Sequence, residues 1–151
     1  QLTNDLPGVL RQCHDILAPQ GAFLATALGG ATLQELRHCL THAELKLFGG
    51  VSPRIAPALS AESATALMQR AGFNAPVVDS ERLTVVYPDM RALMHELRGM
   101  GWSNSLRARR NRMTPRSLFA EAGALYAAQF PASAHGIRAT FDIIILHGWR
   151  S

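Results

Sequence analysis

The stretch AFLATALGG, residues 22–30, decides the fold of this chain. An almost wholly apolar run between Gly21 and the pair Gly29 and Gly30 is typical of a central strand covered on both faces. The segment before it predicts a helix that Asp5 caps and Pro19 ends. The apolar side chains of that helix recur at helical spacing: Leu6, Val9, Leu10, Cys13 and Ile16.

Helices and strands continue to alternate downstream of this run. Thr32 and Glu35 form a T-x-x-E capping box, which predicts a helix that ends at Gly49. Further helices are predicted over 60–72, over 88–100 and from 114 onward, and further strands over 73–79, 82–87 and 137–147. This order predicts an α/β fold with helices on both faces of the sheet.

The predicted sheet has an open edge at its first strand. Only two strand regions follow Ala22–Leu28, and an apolar strand without a neighbour invites pairing with another chain. We therefore expect self-association through this edge unless a part of the protein outside this sequence covers it.

Composition excludes several classes of protein. A hydrophobic content of 48% with 17% charged residues is that of a folded domain, and no apolar run is long enough to span a bilayer. We expect one domain over residues 1–151, in a cytoplasmic, reducing compartment of a bacterium, because two cysteines make no disulfide scaffold. The chain lacks an initiator Met, so we expect it to begin inside a longer protein.

Several segments together resemble class I S-adenosylmethionine-dependent methyltransferases. The resemblance is strongest to the subfamily of the mitochondrial complex I assembly factors and their BioC-like proteobacterial relatives, and it extends over essentially the whole chain. It implies the C-terminal half of a Rossmann-like methyltransferase sheet, with a central parallel strand and antiparallel closing strands. The segments are ATLQELR (31–37), GGVSPRIAP (49–57), RAGF (70–73), VVYPDMRALMHELRGMGWSN (85–104) and RATFDIIILHGW (138–149).

The resemblance implies S-adenosylmethionine as the cofactor, bound at the carboxyl ends of the first four strands of the complete sheet. The glycine-rich loop that holds it would precede Gln1, and no G-x-G-x-x-G occurs in this sequence. The residues implied near the cofactor are Leu2, Asn4 and Asp5. Residues 1–3 read Gln-Leu-Thr where the family commonly has His-Trp-Val, so we expect this chain alone to bind cofactor poorly and to be inactive.

The acceptor side of the site is expected at the end of the first strand and in a lid. At the strand end, bare glycine backbone lets a substrate approach, although the same glycines also suit a turn with positive φ. Arg37 can pair an acidic substrate group or be an ordinary surface arginine. The residues predicted to form the lid could equally well be an ordinary aromatic at a strand end and a polar loop without a role in binding. The predicted substrate and lid residues are Leu28, Gly29, Gly30, Arg37, Tyr87, Trp102, Ser103 and Asn104.

Two other groups of residues suggest sites that we set aside. His38 and His42 have the spacing of two metal ligands, but no third ligand follows at a matching distance, so no metal site is predicted. An arginine-rich segment indicates a solvated loop or a dock for an acidic protein, since no aromatic side chains interleave it for base stacking and no nucleic-acid binding is expected. Its arginines are Arg107, Arg109, Arg110, Arg112 and Arg116.

The leading hypothesis is methyl transfer to a protein or carrier-bound substrate. Such an enzyme mainly positions the acceptor, which agrees with the lack of a catalytic dyad or triad in this sequence. The subfamily resemblance also implies an alternative, hydroxylation of an arginine in a complex I subunit. A third hypothesis is a docking module without catalytic activity.

Overall fold

The computed structural model describes residues 5–54, 58–102, 104, 113–133 and 135–151. Strands β1, β2 and β3 form one sheet in the order β1-β3-β2, and β1 pairs antiparallel with β3 from Ala22↔Trp149 to Leu28↔Ile143. The prediction of an α/β fold with antiparallel closing strands is thereby confirmed. The elements in chain order are α1 (Leu6–Ile16), β1 (Ala22–Leu28), α2 (Gln34–Phe48), α3 (Ala61–Ala71), β2 (Asn74–Tyr87), α4 (Met90–Gly99), α5 (Arg116–Gln129) and β3 (Ile137–Trp149).

The chain divides into two compact units. The first comprises Gln1–Thr32, Ala58–Leu83 and Phe141–Ser151, and in it α1 packs against α3. Both helices contribute to an apolar core that also includes side chains of β1 and β3. The buried members of that core are Leu10, Ala64, Met68, Ala71, Phe73, Ile144 and Leu146.

Strand β1 is less covered than the sequence predicts. Phe23 and Ala25 pack against the core of the first unit, whereas Leu24, which points to the other face, is 71% exposed. Among the described strands, β1 lies at the edge of the sheet with β3 as its neighbour. In the part of the chain that the structure describes, β1 is therefore an edge strand with one covered face, and the parallel neighbour implied by the resemblance stays a prediction.

The helices of the first unit begin as their sequences predict. Asp5 accepts a hydrogen bond from the backbone N–H of Gly8 at 2.9 Å, and Pro7 occupies the first turn of α1. Ser60 caps α3 by accepting from the N–H of Ser63 at 3.1 Å. These caps satisfy N–H groups that have no partner within the helix.

The prediction of two strands, over 73–79 and 82–87, is wrong. The structure has one continuous strand, Asn74–Tyr87, that runs through Ser80 and Glu81. A polar dipeptide without Gly or Pro does not force the chain to reverse. Polar side chains also suit an edge strand, and β2 is at the edge of the sheet opposite β1.

The second unit comprises Leu33–Pro57 and Thr84–Thr140, and its helices are α2, α4 and α5. In it α5 packs against both α2 and α4. The hydroxyl of Tyr126 is buried and donates to the backbone carbonyl of Arg138 at 3.0 Å, which satisfies its polar end. The other large buried side chains of the unit include Leu33, Leu36, Leu40, Tyr87, Met90, Leu93, Leu97, Leu118 and Ile137.

The capping box predicted for α2 is wrong. The N-cap residue is Leu33, which has φ 54 in the left-handed region and makes no side-chain capping bond. The Thr32 hydroxyl bonds to the backbone of Asp142, and the Glu35 carboxylate bonds to Thr140. Glu35 therefore anchors the start of α2 to Thr140 of β3, and Thr32 anchors the loop after β1 to Asp142; local sequence spacing reveals neither requirement.

Among the described residues, none of the helices combines the length and the apolar character needed to cross a bilayer.

The end of α2 supplies a test of the local backbone. Gly49 has φ 68, in the left-handed region, and a Cβ built on it meets no atom within 4 Å. We expect Gly49→Ala to lower the free energy of unfolding by about 1 kcal/mol through backbone strain alone. Gly50→Ala is the matched control, since its added Cβ also meets nothing and its φ is not positive. Urea unfolding, followed by circular dichroism, measures the free energy of unfolding of both variants. If Gly50→Ala lowers it as much as Gly49→Ala does, positive φ at Gly49 is not the cause.

Candidate functional site

The loop that follows β1 is fastened to one residue of β3. The backbone N–H of Gly29 donates to the Asp142 carbonyl at 2.7 Å, and that of Ala31 donates to the Asp142 carboxylate at 3.2 Å. The Thr32 hydroxyl donates to the same carbonyl at 3.1 Å and accepts from the Asp142 N–H at 3.0 Å. Asp142 thus fixes the loop through both backbone and side chain, and sequence reasoning missed it because its partners lie more than a hundred residues earlier.

Gly29 is required here for close approach and not for its backbone angles. A Cβ on Gly29 would overlap the Asp142 carboxylate and lie 2.9 Å from Ile144 Cγ1. A Cβ on Gly30 would meet no atom within 4 Å, and Gly30 is exposed. Neither glycine has positive φ, so the turn hypothesis based on positive φ does not hold. Leu28, at the end of β1, is half-buried.

In the second unit, Glu35 secures the first turn of α2. Its carboxylate accepts from the N–H of Thr140 at 3.1 Å and from the hydroxyl of Thr140, and the N–H of Leu33 donates to the Thr140 carbonyl at 2.7 Å. Glu35 is 3% exposed. Its hydrogen bonds compensate for the loss of water around a buried carboxylate.

Two further ionisable groups near Glu35 are held in their neutral forms. Burial, followed by the negative charge of Glu35, raises the pKa of the Cys39 thiol to about 11. Burial is also the main cause that raises the pKa of Tyr126. A thiol with so high a pKa is protonated at neutral pH and is a poor nucleophile. In the described structure the polar ends of Glu35 and Tyr126 bond to Thr140 and to the carbonyl of Arg138.

A pocket of about 320 Å³ opens between α2 and residues 51–54 in the second unit, and we call it the α2 pocket. Its α2 wall consists of Arg37, Leu40, Thr41 and Glu44. These positions recur every three or four residues, which puts them on one face of the helix. Arg37, predicted as a substrate residue, thus lies in a concave site and is half-buried.

A largely buried ion pair contributes to the lining of the α2 pocket. Arg54 Nη2 donates to Glu44 Oε1 at 2.7 Å, and the two side chains are 17% and 2% exposed. Glu44 also accepts from the N–H of Ser52 at 2.8 Å and from the Ser52 hydroxyl. Burial raises the pKa of Glu44, but the hydrogen bonds from Arg54 and Ser52 outweigh that effect and leave the pKa below its usual value.

The lid residues lie at different places in the second unit. Tyr87 is buried, and its pKa is raised by burial and by Glu96. Trp102 is half-buried. The Asn104 side chain donates to the Pro53 carbonyl at 2.9 Å, which brings it to the segment that lines the α2 pocket. Ser103 lies outside the described residues.

Of the three residues that the resemblance implies near the cofactor, the structure describes only Asp5. Leu2 and Asn4 lie outside the described residues, and one oxygen of Asp5 accepts the capping hydrogen bond of α1. This capping role of Asp5 is structural, and the sequence contains no G-x-G-x-x-G. Their role toward S-adenosylmethionine stays a prediction.

The structure describes the histidine pair and part of the arginine-rich segment. The rings of His38 and His42 lie 4.2 Å apart, and the edge of His38 meets Phe130. No group of three or more possible metal ligands occurs among the residues that the structure describes. Arg116 begins α5. The other four arginines of that segment lie outside the described residues.

The described part of the chain is an α/β domain whose loop after β1 is fastened to β3. Comparison with known proteins supports a methyltransferase-like class for it, although no family model matches the chain. The mitochondrial arginine hydroxylase NDUFAF5 of Danio rerio is 40% identical over 147 residues, which is 97% of this chain and 46% of that protein. The Homo sapiens protein of the same name is also 40% identical, over 97% of this chain and 42% of its own length.

A second kind of relative is a named methyltransferase. The malonyl-[acyl-carrier protein] O-methyltransferase of Xylella fastidiosa is 35% identical over 126 residues, which is 83% of this chain and 41% of that protein. Both kinds of relative confirm the resemblance to the methyltransferase-like subfamily that includes the BioC-like proteins and the complex I assembly factors. The chain spans less than half the length of these relatives.

The hydrogen bonds between Thr32 and Asp142 give a second prediction. We expect Thr32→Val to lower the free energy of unfolding by roughly 1 to 3 kcal/mol, because the backbone N–H of Asp142 loses the hydroxyl that accepts its hydrogen bond. Thr26→Val is the matched control, since Thr26 is exposed on β1 and valine suits a strand. Chemical denaturation measures both variants. If Thr32→Val lowers the free energy of unfolding no more than Thr26→Val does, the hydrogen bonds of the Thr32 hydroxyl do not stabilise the fold.

The low pKa of Glu44 gives a third prediction. The folded state binds a proton on Glu44 less readily than the unfolded state, so this stabilisation is present above about pH 4.3 and is lost as the pH falls through the lower folded pKa. We expect Glu44→Gln to reduce that acid-dependent loss. It should also destabilise the protein by roughly 3 to 5 kcal/mol at neutral pH, since Arg54 keeps a buried charge.

The control for this prediction is Glu81→Gln, at an exposed position of β2. The measurement is the free energy of unfolding from urea denaturation between pH 3 and pH 7. The prediction is wrong if Glu44→Gln and Glu81→Gln give the same dependence on pH.

Proposed function

We propose that this chain is the acceptor side of an S-adenosylmethionine-dependent enzyme that acts on a group presented by a protein. The observation that carries the proposal is the loop after β1. Asp142 holds it rigidly through four hydrogen bonds, and open space lies beside the exposed Gly30. A fixed loop next to bare backbone suits an enzyme that works by positioning its acceptor.

Methyl transfer is the reaction that this arrangement favours. S-adenosylmethionine supplies an electrophilic methyl group, and the acceptor needs chiefly to be held in line with it. The described residues fit that demand, because the buried Cys39 and Tyr126 are kept neutral and the Glu35 carboxylate is engaged by Thr140. We infer that the residues that grip the cofactor belong to another part of a longer protein.

The two kinds of relative support two acceptors. A carrier-bound acyl group is supported by the relatives named malonyl-[acyl-carrier protein] O-methyltransferase. Arginine hydroxylation is the second candidate, and the higher identity to the arginine hydroxylases favours it: 40% against 35% for the methyltransferase of Xylella fastidiosa. A docking role without catalysis is the third, in which the segment around Arg116 meets an acidic partner.

Self-association is a separate proposal about partners. The sequence of β1, AFLATAL, has no charge and no proline, and both kinds of residue normally prevent edge strands from pairing. We propose that β1 pairs with a second copy when nothing else covers it. The localisation we propose is the bacterial cytoplasm.

Our fourth prediction tests the enzyme proposal in two steps. Calorimetric titration with S-adenosylmethionine is performed on this chain and on the longer protein that contains it, and we expect binding to the longer protein only. The longer protein is then incubated with cofactor and either a malonyl-loaded carrier protein or an arginine-containing partner protein. Intact-mass spectrometry distinguishes the gain of one methylene from the gain of one oxygen atom.

Each result decides between the candidates. A methylene gained by the carrier-bound acyl group supports methyl transfer, and an oxygen gained by the partner supports the hydroxylase. No binding of S-adenosylmethionine to either protein would overturn the enzyme proposal in favour of the docking module.

A further inference from the structure

Three exposed apolar side chains of the second unit lie together at the end of α2. Leu45 is 54% exposed, Phe48 is 42% exposed and Val51 is 54% exposed. Leu45 and Phe48 are one helical turn apart, and the N–H of Ser52, the residue after Val51, donates to Glu44 of the same helix. We call Leu45, Phe48 and Val51 the α2 patch. A group of large apolar side chains exposed to water is typical of a surface that binds a partner.

The α2 pocket is continuous with this patch, because Val51 belongs to both. Leu40 and Pro53 add apolar surface to the pocket lining, and the volume of about 320 Å³ is large enough for one large apolar side chain. Protein interfaces concentrate their binding energy where a protruding side chain of one partner fills such a pocket in the other. The pocket and the patch together therefore offer a site for an apolar anchor, surrounded by further apolar surface.

The charge of the second unit determines which partner this surface favours. The unit holds eleven of the fifteen Lys and Arg residues of the chain but five of its eleven Asp and Glu residues. Arg116 is exposed at the start of α5, two residues after Thr114, whose hydroxyl accepts a hydrogen bond from Arg54 of the pocket lining. A positive surface around an apolar site attracts a partner with negative charge and fixes its orientation.

The same features disfavour three other occupants. A second copy bound through the same surface would bring two basic units together, and such contact between like charges is unfavourable. A bilayer takes up protruding apolar side chains, whereas this site is concave at the pocket. Nucleic acid binds through its phosphates and by stacking its bases on aromatic rings, and the α2 patch contains a single aromatic residue, Phe48.

We propose that the α2 pocket and the α2 patch form a docking surface for an acidic protein that presents a large apolar side chain. That side chain enters the pocket against Leu40, Val51 and Pro53. Leu45 and Phe48 exclude water around it, and acidic groups of the partner face the basic surface of the unit. Such docking goes beyond the proposed reaction, since it serves methyl transfer, hydroxylation and a role without catalysis alike.

The experiment is a titration of ¹⁵N-labelled chain, followed by NMR, with three synthetic helical peptides as probes. The first peptide combines glutamates with one stripe of leucines, the second has alanine in place of each leucine, and the third has lysine in place of each glutamate. We expect only the first to shift the backbone signals around Leu45, Phe48 and Val51, with saturation. Its affinity should fall as salt is added, because salt screens the attraction between the charges.

The other occupants are tested with the same labelled chain. Polyuridylate and vesicles of phosphatidylglycerol replace the peptides in two further titrations, and we expect neither to shift the signals of the α2 patch. Analytical ultracentrifugation of the chain and of Val51→Asp tests the second copy. We expect the two to have the same oligomeric state, because Val51 does not belong to a contact between copies.

Matched variants make the titration specific. Val51→Asp should weaken binding of the first peptide by about tenfold or more, because it repels the glutamates and removes an apolar contact. Val77→Asp is the control, since Val77 is 55% exposed on β2 in the first unit. Arg116→Gln should weaken binding more at low salt than at high salt. Circular dichroism confirms that each variant is folded, and Leu45→Asp keeps the test decisive if Val51→Asp does not fold.

The inference is overturned if the acidic leucine peptide does not bind, if either altered peptide binds equally well, or if Val77→Asp weakens binding as much as Val51→Asp does. It is also overturned if polyuridylate or the vesicles shift the signals of the α2 patch, or if Val51→Asp dissociates a dimer. Failure of the proposed function is a separate result, since the peptide titration needs no S-adenosylmethionine. Cofactor binding by the longer protein without peptide binding would remove the docking surface and leave the enzyme; the opposite pair of results would do the reverse.

Discussion

The backbone of β3 is the support on which the rest of this structure depends. In the first unit, Asp142 of β3 holds the loop after β1. The Thr32 hydroxyl donates to the Asp142 carbonyl and accepts from the Asp142 N–H. In the second unit, Thr140 of β3 holds the start of α2. Its N–H donates to the Glu35 carboxylate, and its carbonyl accepts from the N–H of Leu33. Because these backbone groups are largely buried, their hydrogen bonds are needed simply to offset the loss of water.

The left-handed conformation of Leu33 follows from this support. A non-glycine residue with positive φ stores strain of about 1 to 3 kcal/mol, and it keeps that conformation only where its surroundings hold it there. Leu33 is held by its N–H on Thr140, and its side chain is almost fully buried. The start of α2 is thus determined by tertiary contacts, and the helix presents Arg37 and Thr41 to the α2 pocket as a consequence.

Much of the fold could be predicted because its signals are local. The caps at Asp5 and Ser60 and the glycine that ends α2 are each determined by residues within one helical turn. The capping box failed because Thr32 and Glu35 have partners on a strand more than a hundred residues away. The prediction of two strands, over 73–79 and 82–87, was wrong because an edge strand tolerates polar residues such as Ser80 and Glu81. Of the site, Arg37 and Asn104 were predicted and lie at or beside the pocket, whereas Asp142, Glu44 and Arg54 gave no signal of their own.

The pairing of Ala22 with Trp149 also constrains how the chain acquires its fold. Nearly the whole sequence separates these partners. During synthesis, β1 therefore cannot pair with β3 until β3 has left the ribosome. Closing so large a loop adds little to the equilibrium cost, because that cost grows only with the logarithm of loop length, but it delays folding. During the delay an uncharged apolar strand is without its neighbour, which makes the nascent chain a natural client for chaperones that shield extended hydrophobic segments.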